Sequence, residues 1–199
     1  MESHLTALRA GIADSIAVKQ ALLAEERLLH AIVAVGNAIV EAFKRGNRVI
    51  FAGNGGSAAD AQHLAAEFVS RFEFDRPGLP SLSLSTDTSM ITAIANDYGY
   101  DRLFRRQLEA QARPGDLFVG ITTSGRSPNV LSAFEACRVL GVTSVALCGL
   151  GGNLEEQVDH LLRVPSRHTP RIQECHILIG HLLCQQVEMS IFGHMKPQS

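Results

Sequence analysis

The sequence has no run of basic residues, no paired-cysteine motif and no long apolar stretch, and each absence removes a class of function. Lys and Arg number 18 against 20 Asp and Glu, a formal net charge of −2, and the basic residues are scattered. Nucleic-acid binding draws on concentrated positive charge, so nucleic acid is disfavoured as the main ligand. Cys137, Cys148, Cys175 and Cys184 show no Cys-x-x-Cys spacing, and each lies in a largely apolar stretch, as buried free thiols do. A reducing, cytoplasmic setting is the expectation. Glu2, His4, Arg9 and Asp14 leave no apolar signal core near the N-terminus, and His30, Asn37 and Glu41 interrupt the most apolar early run. Neither secretion nor membrane spanning is expected. The chain also lacks a Gly-x-x-x-x-Gly-Lys-Ser/Thr sequence, which argues against a nucleoside triphosphatase.

Low-complexity segments, Gly/Ser linkers and internal repeats are absent too, and 199 residues suit one domain with a sizeable core. Residues 1–46 are expected to be a helical extension of that same domain. Helical periodicity places Leu5, Leu8, Ile12, Ile16 and Ala17 on one face of a helix over 4–24, and Leu28, Ile32, Val35, Ile39 and Phe43 on one face of a second over 26–44. Short apolar strands then alternate with helices. The strand candidates are 48–52, 81–85, 116–122, 143–148 and 160–164; the helices are 57–71, 88–97, 101–112, 128–140, 153–158 and 170–191. Five strands joined by helical crossovers predict an α/β fold with a parallel sheet covered on both faces. The Pro- and Gly-containing segment 72–80 reads as a surface connection.

What is present concentrates in Ile50 to Glu67. Apolar Val49 to Ala52 reads as a buried strand, and Gly53-Asn54-Gly55-Gly56 can bend back and bring backbone N–H groups close to a ligand. Ser57 with Asp60 looks like a capping box opening the next helix, whose N-terminus attracts an anion. Gly53-x-Gly55-x-x-Ala58 matches a dinucleotide fingerprint only loosely, and no strand ending in an acid follows at 71–76. A second loop, Thr122-Thr123-Ser124-Gly125-Arg126-Ser127, also follows a buried strand and supplies four hydroxyls before Pro128 starts a helix. Ser127-Pro128 and Thr169-Pro170 each set a capping hydroxyl before proline. In a parallel sheet both loops leave the carboxyl ends of strands, where open α/β folds bind ligands, so a phosphate ester fits.

His63 and Glu67, four residues apart, share one helix face about a turn beyond the first loop. An ordinary solvated pair is the plain alternative to a proton-transfer or metal site, and the neighbouring loop favours the site. Asn96-Asp97 ends another helix, either as a turn or as a sugar-hydroxyl contact. In the last helix Gln173, Glu174, His176, His181 and Glu188 interrupt an apolar run; such histidines are more often core or surface residues than ligands.

These pieces together resemble the phosphoheptose isomerases of the SIS (sugar isomerase) domain family, and the match spans nearly the whole chain. It is carried by Gly53-Asn54-Gly55-Gly56-Ser57, His63-x-x-x-Glu67, Arg76-Pro77-Gly78, Ala95-Asn96-Asp97, Thr122 to Ser127, and Arg171-Ile172-Gln173-Glu174 followed by His181. The resemblance implies a single SIS domain with a flavodoxin-like three-layer sandwich, and conversion of D-sedoheptulose 7-phosphate to D-glycero-D-manno-heptose 7-phosphate on the way to activated heptoses of bacterial surface polysaccharide. It also implies a homotetramer with sites between subunits. Carried over, Asn54, Gly55, Gly56, Asn96 and Asp97 contact substrate, and Thr122, Thr123, Ser124 and Ser127 hold its phosphate. His63, Glu67, Gln173 and His181 surround the reacting carbons and a zinc ion. Thr122 stands where many members have Ser, and Arg126, where Asn is common, adds a cation beside the phosphate loop.

Ketose–aldose isomerisation needs a base for the C1 proton and a group that moves protons between the oxygens; Glu67 and His181 are assigned these roles in that order, with the opposite assignment open. Zinc would polarise the carbonyl as a Lewis acid, and a carboxylate committed to zinc is a poorer base. On one regular helix Gln173 and His181 are separated by about 12 Å along the axis, so one of them is expected to reach a site built mainly by another subunit. The alternative from a different class is a non-enzymatic SIS-domain protein that binds the bacterial replication initiator; an acid at position 67 weighs against it. A sugar-phosphate sensor lacks its helix-turn-helix here.

Overall fold

A computed structural model describes residues 2–197. Helices α1 (Glu2–Ala24) and α2 (Glu26–Lys44) precede β1 (Val49–Gly53), α3 (Gly56–Val69), β2 (Ser81–Ser83), α4 (Thr88–Tyr98) and α5 (Leu103–Gln111). There follow β3 (Leu117–Thr122), α6 (Pro128–Leu140), β4 (Thr143–Cys148), β5 (His160–Arg163) and α7 (Thr169–Phe192). The five strands form one all-parallel sheet in the order β2-β1-β3-β4-β5. This is the expected α/β architecture, and its order is that of flavodoxin-like sheets. Among the described residues, no helix is long and apolar enough to cross a membrane.

Period-two alternation explains how the short strands build two cores. Val49, Phe51, Leu117, Val119, Ile121, Val145 and Leu147 face one side, against α2, α3 and α7; Ile50, Ala52, Phe118, Ala146 and Cys148 face the other, against α5 and α6. Each large side chain fully buried in this way contributes about 1.5–3 kcal/mol. All five apolar positions expected on the inner face of α2 are buried. The four cysteines are free and buried, as their apolar contexts indicated.

The structure corrects several local expectations. Residues 153–158 form a turn rather than a helix: six residues are too few to offset helix nucleation, and Leu154 is anchored in the core while Gln157 N–H donates to its carbonyl. The helix expected over 101–112 starts as a 3-10 turn at Tyr100–Arg102. Ser57 and Asp60 make no capping box, because Gly55 is the N-cap and Ser57 lies inside α3. Likewise His168 caps α7 and places Thr169 within it. Leu5, Leu8, Ile12 and Ile16 of α1 do line one face, yet each stays exposed, since nothing among the described residues covers that stripe. The 72–80 segment is not purely superficial either: Phe74, Arg76 and Leu79 are buried.

Candidate active site

In this strand order the chain reverses direction between β1 and β3, which opens a crevice at their carboxyl ends. The two loops singled out by sequence are the ones that leave those strands. After β1, Gly55 adopts φ 58°, ψ −121°, a left-handed conformation that side chains resist. A Cβ on Gly56 would lie 2.5 Å from Nε2 of Gln173 on α7, so that amide would have to move aside for any side chain there. Helix α3 starts with no side-chain cap; the N–H groups of Ser57 and Ala58 donate to the carbonyls of Asn54 and Gly55, and the positive end of the helix faces the crevice.

After β3, Thr122 Oγ1 and Ser127 Oγ are hydrogen-bonded at 2.9 Å, so the Ser127 hydroxyl turns toward the loop instead of capping α6. Thr122 is buried, Thr123 half-buried, and Ser124 and Arg126 exposed. Gly125, at φ 64°, packs so tightly on Gly151 that a Cβ would meet its carbonyl at 2.4 Å. Two uncapped helix N-termini thus flank the switch point.

Helices α3 and α7 run side by side: Gln173 meets Gly56, and further along Gly180 packs on Leu64. The same alignment brings His181 to His63. Their Nε2 atoms are 2.9 Å apart, and Glu67 Oε1 is 3.2 Å from His63 Nε2. Ligand atoms of His63, Glu67 and His181 all lie within 4.8 Å of one another. One Nε2 has a single lone pair or proton and cannot serve two such neighbours at once. Tetrahedral zinc with ligands at 2.0–2.1 Å has edges of about 3.3 Å, so the two nitrogens and the carboxylate fit that ion. Gln173 stands apart from the three, some 12 Å up the helix axis from His181.

Asn96 and Asp97 lie exposed at the end of α4, with Asn96 Nδ2 donating to Asp97 Oδ1 at 2.8 Å. Three further residues were not legible as site residues. Asn54 and the buried Asn129 exchange a pair of amide hydrogen bonds, both 2.9 Å, that ties the first loop to α6. Tyr100 O–H donates to Asn54 Oδ1 at 3.0 Å. Asp60, one turn before His63, has a buried Oδ2 with no hydrogen-bond partner; burial pushes its pKa up to about 6, against the pull of His63. Its i,i+3 spacing from His63 was the available signal. His176, by contrast, is wholly buried and belongs to the core.

Comparison with known proteins agrees with this geometry. The SIS domain model matches residues 13–149. A phosphoheptose isomerase of Aneurinibacillus thermoaerophilus is 55% identical over 186 residues, covering 93% of this chain and 94% of that one. The structure of a phosphoheptose isomerase from Francisella tularensis superposes with a TM-score of 0.89 at 36% identity, covering 94% and 98% of the two chains. One from Neisseria gonorrhoeae gives 0.85 at 40% identity, covering 92% and 98%. With its switch-point loops, its His63, Glu67 and His181 cluster and these relatives, the chain belongs to the SIS domain family, among the phosphoheptose isomerases.

Proposed function

We propose that this protein is an aldose–ketose isomerase that converts D-sedoheptulose 7-phosphate to D-glycero-D-manno-heptose 7-phosphate, the first step toward ADP- or GDP-heptose precursors of bacterial surface polysaccharide. The observation that carries this reading is the convergence of His63, Glu67 and His181 beside two uncapped helix N-termini.

In this assignment the phosphate sits on Thr122, Thr123, Ser124 and Ser127, where loop hydroxyls and the α6 N-terminus complement its charge. Asn54, Gly55, Gly56, Asn96, Asp97 and Gln173 orient the sugar. Glu67 takes the C1 proton, leaving the pair of electrons in the C1–C2 bond of a cis-enediol. His181 carries the O1 proton to O2, and the proton held by Glu67 returns to C2, so that ketone and aldehyde exchange places with no net gain or loss. A zinc ion held by His63, Glu67 and His181 would stabilise negative charge on the carbonyl oxygen as a Lewis acid.

Gln173 joins the same metal in the proposed ligand set, and because it stands about 12 Å along α7 from His181 the proposal has one of these two supplied by a second copy. A homotetramer with sites between subunits accounts for this, and it gives cover to the exposed apolar stripe of α1 and to α4, which has no buried residue. We also propose that the 199 residues act as one domain in the cytoplasm, residues 1–46 included, because α2 shares the α7 core.

The test is NMR of sedoheptulose 7-phosphate incubated with the purified protein and with His181→Ala, each with and without zinc. Wild-type turnover that His181→Ala abolishes in still-assembled protein is expected. A protein that turns the sugar over in no metal state would refute the proposal and favour the initiator-binding alternative.

A further inference from the structure

A buried ion pair lies under the proposed catalytic residues. The side chains of Arg76, in the segment after α3, and Glu188, on α7, are each 1% exposed, with Nε to Oε1 at 2.9 Å. Arg76 turns its other donors to the end of α3, where Nη2 donates to the Glu67 carbonyl at 2.8 Å and Nη1 to those of Phe68 at 2.7 Å and Ser70 at 3.1 Å, and Nη1 also reaches the neighbouring Pro77 carbonyl at 3.1 Å. Glu188 accepts from Phe72 N–H at 2.9 Å and Glu73 N–H at 2.7 Å. The ring of Phe72 in turn rests 5.5 Å from that of His181.

The two ends of this network are thus the Glu67 backbone and the face of the His181 ring. Glu188 follows His181 by seven residues, two helical turns, and so projects from the same face of α7. A helix C-terminus needs partners for its last carbonyls, and a cation there also meets the helix dipole favourably. Those needs alone do not call for a fully desolvated ion pair, because well-packed apolar residues often replace one at no loss of stability. What the pair adds is direction. A guanidinium fork with fixed geometry joins α3 to α7 at one register, and a flexible ammonium cannot reproduce it.

We infer that Arg76 and Glu188 are positioning residues that set the register of α3 against α7, and with it the separation of His63 and Glu67 from His181. This rests on the proton-handling roles proposed above for Glu67 and His181. Neither residue touches the substrate in this arrangement; both act through groups that do.

The experiment uses the full chain with Arg76→Lys and Glu188→Asp, each keeping its charge and losing the geometry. Steady-state kinetics with sedoheptulose 7-phosphate, the visible spectrum of the cobalt(II)-loaded protein and circular dichroism melting are recorded at a temperature where the variants are folded. A fall in kcat of roughly tenfold to a hundredfold is expected, the usual scale for residues that orient metal-site ligands. KM should stay within about threefold, because the phosphate-loop hydrogen bonds lie outside the network. The cobalt bands should shift or weaken in both variants. Wild-type kcat and cobalt spectra in folded variants would overturn the inference, and so would losses that merely track the unfolded fraction. A wild-type protein that does not isomerise the sugar sinks the functional reading, while the cobalt spectra still decide whether the pair sets the geometry of the cluster.

Discussion

His176 makes the stability of this protein acid-sensitive in a way that one substitution should isolate. The side chain is wholly buried in α7, and neither ring nitrogen makes a well-formed hydrogen bond. Burial lowers its pKa from 6.5 to about 4, with only the Cys148 backbone opposing. A histidine whose folded pKa lies below its unfolded value favours unfolding when protonated. Its full contribution is present above pH 6.5 and is lost as pH falls toward 4. At about 1.4 kcal/mol per unit, the whole loss is about 3.5 kcal/mol, with about 2 kcal/mol of it between pH 7.5 and pH 5. The comparison is wild type against His176→Leu, by urea unfolding at fixed protomer concentration followed by far-UV circular dichroism. Buried or bonded carboxylates such as Asp159 and Glu188, whose pKa values lie below the usual range, weaken both proteins in acid and cancel in the difference. The gap should widen in favour of the variant as pH falls. Parallel stability curves would refute the reasoning, because they would mean that the imidazole finds a partner or solvent in the folded state.

Gly125→Ala forces a Cβ to within 2.4 Å of the Gly151 carbonyl at a left-handed φ, so the phosphate loop must shift; KM for the sugar phosphate should rise at least tenfold with a smaller change in kcat. Asn129→Leu leaves the Asn54 amide without its two-way partner, and a loss of about 1–3 kcal/mol in thermal stability, with weaker substrate binding, is expected from melting curves and KM. Removing divalent metal with a chelator should lower both activity and melting temperature, and zinc at a hundred times its Kd should return about 2.7 kcal/mol of stability.

Patterns that are local in sequence were the most legible. The apolar runs at 48–52, 116–122 and 143–148 read as buried strands, and the glycine and hydroxyl loops behind the first two mark the crevice. His63 and Glu67 were readable because four residues of helix put them on one face. What escaped depended on partners far along the chain. Arg76 sat in a segment rich in Pro and Gly, and only α7, 112 residues away, explains its burial. Asn129 carries no local signal, because its partner Asn54 lies 75 residues before it. The misread caps have a related cause: Ser127 had a nearer use for its hydroxyl in Thr122, and Gly55 supplied the turn that Ser57 was expected to cap.

The central claim is that Glu67 moves the proton at C1 and C2 of a sugar phosphate bound across these loops. Its most direct test is NMR of sedoheptulose 7-phosphate in D2O with zinc-supplemented wild type and Glu67→Gln. Heptose 7-phosphate is the result expected from wild type, with solvent deuterium at C2 to the extent that the Glu67 carboxyl exchanges its proton before returning it, and no product from a folded Glu67→Gln. Wild-type rates in Glu67→Gln, or no product from either protein, would contradict it.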